Sequence, residues 1–164
     1  MEKELFEKIK NRFSDSKIEL LNNTGIAKIY IESKDIKKIL GFVSTYFEEK
    51  PFLETIIARD IDDSFSVSYI FREKTGDILT FETETNKKKP ELDSIASTWP
   101  GAEVLEREIQ ELFGIVFDGK EYTSNMFLAD QWVGKPMKKD YVFPEDFKGI
   151  EHRRNPLKKE HERP

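Results

Sequence analysis

Cysteine is absent from the 164 residues, which removes disulfides, thiolate zinc sites, iron–sulfur ligation and cysteine nucleophiles together. Histidine is nearly absent. His152 and His161 stand near the end of the sequence, without metal-ligand spacing to each other, and neither G-x-S-x-G nor H-E-x-x-H occurs. No stretch approaches the roughly 20 apolar residues that cross a bilayer. The opening MEKELFEKIKNRF is charged and amphipathic, unlike a leader peptide, so a soluble, cytoplasmic protein is expected. No internal repeat or low-complexity segment interrupts the chain.

What the chain does have is charge. Asp, Glu, Lys and Arg make up 36% of it, with the Lys and Glu enrichment common in hyperthermophile proteins. The distribution is uneven: residues 135–164 hold nine Lys/Arg and six Asp/Glu, leaving 18 basic and 26 acidic residues in the first 134. An acidic body carries a basic tail. At this length one core is expected, burying about 70% of the unfolded surface.

Leu5, Phe6, Ile9 and Phe13 recur at helical spacing. Ile18–Leu21 and Ile26–Ile31 flank Asn22-Asn23-Thr24-Gly25, a hairpin signal. Ser33 can cap a helix whose Ile36, Ile39, Leu40, Val43 and Phe47 form one stripe, broken by Pro51. Three strands follow, Thr55–Ile61, Phe65–Arg72 and Ile78–Thr83, joined by short polar turns that make them antiparallel. In the middle one Phe65, Val67, Tyr69 and Phe71 alternate with Ser66 and Ser68, predicting one buried and one open face. The fold class read from this order is α+β: a largely antiparallel sheet of about five strands flanked by helices, over residues 1–118. Residues 119–164, punctuated by Pro136, Pro144, Pro156 and Pro164, read as an extended C-terminal segment with no core of its own.

The densest cluster of charge is LEREIQELFGIVFDG, residues 105–119. At 100° per residue, Leu105, Ile109, Leu112 and Phe113 form a sheet-facing stripe, with Glu103, Arg107 and Glu111 laddered on the opposite side. Glu106 and Glu108 lie about 160° apart on the helical wheel, so no carboxylate pair converges on one bond or one metal. Gly114 reads as a left-handed cap. Gly114 to Lys120 fits G-x-x-x-x-G-K, but the helix-then-strand order and Glu121 in the hydroxyl position exclude a phosphate loop. Lys138, Lys139, Arg153, Arg154, Lys158 and Lys159, with Trp132 and Tyr141 as stacking partners, outline a nucleic-acid footprint; interleaved acids and the acidic body oppose it.

Two blocks carry a resemblance. Glu106-Arg107-Glu108-x-x-Glu111-Leu112-Phe113-Gly114-Ile115-x-Phe117-x-Gly119 is similar to the signature of the thirty-kilodalton subunit of respiratory NADH dehydrogenase, complex I. Trp132-Val133-Gly134-Lys135-Pro136-Met137-Lys138-Lys139-Asp140-Tyr141 resembles that family's second block, W-x-G-x-P-L-R-K-D-[FY]. The chain departs from the pattern at Glu111, where the family has Asp, and after Gly119, where His-Pro and paired arginines give way to Lys120-Glu121-Tyr122. It reads as a divergent branch.

The resemblance implies a non-catalytic peripheral-arm subunit that binds no flavin, quinone, metal or cluster itself. The implied partners are a hydrogenase-like large subunit and a small iron–sulfur subunit, which hold the iron–sulfur clusters and, in one branch, a nickel–iron centre. It further implies membrane association through other subunits, on the cytoplasmic face, and no nucleic acid. Energy-converting membrane-bound hydrogenases and ferredoxin-dependent ion-translocating complexes are the favoured relatives. Glu106, Arg107, Glu108, Glu111, Phe113, Gly114, Trp132, Gly134, Pro136, Lys138, Lys139, Asp140 and Tyr141 are then the candidate interface residues, with residues 119–164 draped over the partners. Bracing of this chain's own domain by the same residues stays open, as do a free-standing α+β enzyme using surface carboxylates and a nucleic-acid module.

Overall fold

The structure, a computed structural model, describes residues 2–21, 28–118, 120, 122, 124–144, 146–147 and 150–151. The Asn22–Gly25 turn, Gly119 and Glu121, and residues 152–164 with both histidines and four of the basic-footprint residues lie outside the described residues.

Helix α1 (Glu2–Arg12) is followed by β1 (Ile18–Leu21) and β2 (Lys28–Ile31), a single 3₁₀ turn at Ser33–Asp35, and helix α2 (Ile36–Tyr46). Three nine-residue strands come next, β3 (Phe52–Asp60), β4 (Ser64–Arg72) and β5 (Ile78–Asn86). After β6 (Glu91–Leu92), helix α3 (Ala102–Phe113) leads into β7 (Val116–Phe117), and the pair β8 (Asp146–Phe147) and β9 (Ile150–Glu151) lies farther on. The main sheet has the order β1-β2-β5-β4-β3. All its neighbours are antiparallel except β2 and β5, which are parallel. It is thus a mixed sheet, and the class is α+β.

Side-chain alternation explains which face is buried. Leu20, Ile29, Phe81, Tyr69 and Ile56 stand in one cross-strand row, and Phe65, Val67 and Phe71 continue that face along β4. Leu5 and Ile9 of α1 and Ile36, Ile39, Leu40 and Val43 of α2 are fully buried in the same core. Each fully buried Ile, Leu or Phe contributes about 1.5–3 kcal/mol of transfer free energy.

Three expectations are corrected. Ser33 does not cap α2: the helix begins after Asp35, and no side-chain cap bond forms. The opposite face of β4 is not left to solvent, since Ser66 and Ser68 are 1% and 6% exposed. Small side chains in a central strand are shaded by larger neighbours. Here Ser66 donates to Glu82 at 2.8 Å, and Glu82 is held by Lys28 and Arg59 at 2.9 and 2.7 Å. Strand β3 begins at Phe52, three residues ahead of the expected Thr55, because an irregularity between Leu53 and Thr55 breaks the alternation that marks a strand.

Candidate functional site: a helix that holds backbone

Helix α3 is the element on which the charged motif sits, and its polar side chains point at backbone. Glu106 is 2% exposed; its carboxylate accepts from Ser94 Oγ at 2.6 Å and from the Ile95 N–H at 2.9 Å. Burial pushes its pKa up, against these two bonds that favour the charged form. One turn on, the Gln110 amide lies 2.7 Å from the Lys120 carbonyl and 2.8 Å from the Tyr122 N–H, donating to one and accepting from the other. Arg107 Nη2 donates to the Ser124 carbonyl and hydroxyl at 3.0 and 2.9 Å, with its guanidinium carbon 5.2 Å from the Tyr122 ring centre. Glu111 accepts from Met126 N at 2.8 Å, from Phe127 N at 3.0 Å, and from Leu128 N. Its desolvation raises the pKa, but the three amides and Arg107 together outweigh that and hold it below the usual carboxylate range.

The physical reason is backbone satisfaction. Residues 93–98, 120, 122 and 124–128 lie outside every named helix and strand, and a buried N–H without an acceptor is costly. Side chains from one rigid helix supply those acceptors. The expected Glu103–Arg107–Glu111 ladder on an exposed face therefore does not form. Glu106, Gln110 and Glu111 belong to the buried surface of α3, while Leu105 and Leu112 are only partly buried. Glu108 is half-buried with no role of this kind.

The structure brings the two signature blocks together. Gly114, at φ +81°, caps α3 through its N–H to Gln110 O at 2.9 Å. An added Cβ there would sit 3.4 Å from the Lys135 side chain, so the second block passes directly across the helix end. Met137 N donates to Leu112 O at 3.2 Å, Lys138 N to Lys135 O at 3.2 Å, and Tyr141 N to Lys138 O at 3.1 Å. Lys138 Nζ lies 5.6 Å from the centre of the Phe65 ring, whose edge-to-face partner is Phe113. Trp132 and Tyr141 stack at 6.4 Å, and Phe143 meets both edge-on. Gly134, at φ +87°, is required here: a Cβ would come within 2.7 Å of the Tyr141 ring. Pro136 is half-buried and Asp140 exposed.

Three supporting residues carry no motif signal. Asp60 ends β3, accepts from Lys139 N at 2.8 Å, and pairs with Lys87. Burial raises its pKa, and the two lysines bring it below the ordinary value. Asp118, a non-glycine at φ +51°, accepts from Ser94 N at 2.9 Å and pairs with Lys37 at 3.1 Å. Ser124 receives Arg107. What marks such residues is only their type, an Asp at a strand end or a turn, where short carboxylates meet free backbone amides.

Around this framework residues 124–144 leave apolar surface bare. Phe127, Val133, Met137 and Val142 are 60%, 79%, 55% and 83% exposed. Among the described residues no group of three or more His, Asp or Glu is placed to hold a metal ion, and no helix is long and apolar enough to cross a membrane. Glu106 and Glu111 are both closed off from solvent, so these two carboxylates are not presented to a cleft.

Comparison with known proteins agrees with this architecture. The family model described as the 30 kDa subunit of respiratory-chain NADH dehydrogenase matches residues 29–160. The NADH-quinone oxidoreductase C-type subunit of Chloroherpeton thalassium is 29% identical over 147 residues, covering 87% of this chain and 61% of that protein. Its counterpart in Geotalea uraniireducens is 27% identical over 138 residues, covering 82% and 84%. A C/D-type subunit of NADH-quinone oxidoreductase from Phocaeicola vulgatus is 45% identical over 64 residues, a match that spans 39% of this chain and only 12% of its relative. Among solved structures, a chain of the membrane-bound sulfane sulfur reductase, an archaeal respiratory membrane complex, superposes with TM-score 0.63 at 17% identity over 79% of this chain and 77% of its own. The trypsin-resistant fragment of Nqo5 gives 0.52 at 20% identity over 73% of this chain and 98% of the fragment. These two share the fold. With the family model covering most of its length and both signature blocks folded into one unit, the chain belongs to the family of the 30 kDa subunit of respiratory-chain NADH dehydrogenase.

Proposed function

We propose that this chain is a non-catalytic peripheral subunit of a membrane-bound oxidoreductase related to complex I. It would sit on the cytoplasmic face and hold a hydrogenase-like large subunit, beside a small iron–sulfur subunit, in position for electron transfer coupled to ion movement. The favoured branch is an energy-converting nickel–iron hydrogenase or a related ferredoxin-dependent ion-translocating complex. The shared fold with a chain of an archaeal respiratory membrane complex is compatible with that branch.

One observation carries the reading. The ledge formed by residues 124–144 hangs the backbone amides of Met126, Phe127, Leu128 and Met137 on α3 yet exposes four large apolar side chains. A segment without regular structure is held in one shape with apolar groups outward, as a preorganised docking surface needs. Basic residues dominate from Lys135 onward, so an acidic or mixed partner face fits it. In this reading Arg107 and Glu111 shape the contact from beneath, while Val133, Met137 and Val142 make it.

The test is affinity purification of the tagged full chain from its native membranes in mild detergent, with co-purifying proteins identified by mass spectrometry and nickel and iron quantified. The expected result is a complex with a hydrogenase-like large subunit and cluster proteins, and nickel in proportion if the hydrogenase branch is right. Recovery of the chain alone in the soluble fraction overturns the reading.

A further inference from the structure

The start of β3 and the start of α3 form an apolar groove, open on one side, of about 490 Å3. Pro51, Phe52, Leu53, Trp99, Val104 and Leu105 line it. Trp99 is fixed from below: its indole N–H donates to Pro51 O at 2.8 Å, and its ring centre lies 4.7 Å from that of Phe71 in the core. The walls are bare, with Phe52 and Val104 exposed by 70% and 55%.

Charge at the rim is uneven. Glu54 pairs with Arg72 and Glu49 with Lys74, so these four cancel. Lys50 has no carboxylate in ion-pair range among the described residues. Its ammonium donates to Thr98 O at 2.9 Å and lies 6.0 Å from the Trp99 ring centre. A free cation therefore stands beside an apolar trough with a rigid aromatic floor.

We propose that this groove receives a segment of a neighbouring subunit that presents a bulky apolar side chain, with a carboxylate placed to meet Lys50. The proposal rests on the reading of the chain as a subunit of a larger complex. A small molecule fits less well, since such ligands are buried by about 70–90% and this trough is open. A protein segment fits because its anchor fills the trough while its backbone covers Phe52 and Val104, the arrangement of an interface hot spot. The groove lies at the opposite end of α3 from the ledge, about 18 Å away at 1.5 Å per residue. Contacts at both ends fix the orientation of the domain, which one contact alone leaves free to rotate.

The experiment replaces Val104, and separately Val142 on the ledge, with the photo-cross-linker p-benzoylphenylalanine in the full chain purified from its native membranes. The expected Val104 adduct is a peptide of another subunit with Leu, Ile, Met or Phe at the contact and Asp or Glu within about one helical turn. Lys50→Glu should lower its yield at least fivefold and leave the Val142 adduct unchanged. An adduct only to a second copy of this chain, to a peptide without an acid, or to nothing while Val142 labels a subunit, overturns the proposal. No adduct at either position, with the chain recovered alone, overturns the subunit reading beneath it.

Discussion

Replacing Glu111 with Gln tests whether α3 is what gives the ledge its shape. The carboxylate accepts from three consecutive amides, Met126, Phe127 and Leu128, and is 6% exposed. Glutamine keeps one acceptor oxygen and turns an NH2 group toward amides that are themselves donors. At least one N–H loses its acceptor, and the remaining bonds become neutral rather than charge-assisted. Hydrogen bonds to a charged group contribute about 1.5–3 kcal/mol and neutral ones about 0.5–1.5, so the loss is about 3 kcal/mol. That equals about a hundredfold in local opening, at 1.4 kcal/mol per tenfold. The sheet core does not depend on this clamp, so the segment should open by itself. Hydrogen exchange, corrected for intrinsic rates, should show protection at Met126–Leu128 falling about a hundredfold, with β4 and β5 unchanged. Unaltered protection at those three amides would refute the clamp. The pH dependence has a definite sign: the folded pKa of Glu111 is lowered, so its contribution is present above the ordinary carboxylate pKa and is lost as pH falls through the lowered value. Acid should therefore loosen wild-type residues 126–128 and leave the Gln variant unaffected.

Glu106 titrates with the opposite sign. Its pKa is raised by burial, so its contribution is greatest below the ordinary carboxylate pKa and declines as pH rises through the raised value. Glu106→Gln should lie within about 1 kcal/mol of wild type at neutral pH and flatten that decline, whereas Glu106→Ala, which strands the Ile95 N–H, should lose about 2–4 kcal/mol; denaturant melts across pH decide. Tyr69 is fully buried, its hydroxyl without a partner among the described residues, so Tyr69→Phe should leave stability unchanged or raise it by about 1 kcal/mol, and a clear drop in melting temperature would reveal a partner for that hydroxyl. Gly134→Ala puts a Cβ 2.7 Å from Tyr141 at a positive φ. It should destabilise the ledge by about 1–3 kcal/mol and shrink the near-ultraviolet circular dichroism of the Trp132–Tyr141 pair; an unchanged spectrum would count against the close approach.

The core was readable because its signal is periodic. Phe65, Val67, Tyr69 and Phe71 declare a strand, and Ile36, Ile39, Leu40 and Val43 a helix, whatever lies around them. Partnership was harder to see. Glu106 and Glu111 look like solvated charges because their acceptor work is done for backbone amides, which have no letter of their own. The end of β5 was hidden likewise: the expected strand stops at Thr83, yet Thr85 is 6% exposed, its hydroxyl donating to Glu91 O and accepting from Glu91 N. The parallel pairing of β2 with β5 depends on contacts some fifty residues apart, beyond the reach of local pattern. The two signature blocks were visible as text, but their meeting at Gly114 and Lys135 was not, because it is set by where α3 ends in space.

That parallel pair also sets an order of assembly. Strands β3, β4 and β5 are consecutive and antiparallel, so they can close through short loops as soon as they exist. The β1–β2 hairpin has no such option. Among the described residues its only neighbour in the sheet beyond itself is β5, so the loop that must be closed includes α2 and two whole strands, and closing it is slow relative to local pairing. During synthesis Ile29 and Ile31 must wait without their sheet neighbour until residues 80–82 of β5 are available. A nascent chain that has emerged only to a point between residues 46 and 78 is a sticky, unfinished half-domain, and that interval is where a chaperone would have most to bind.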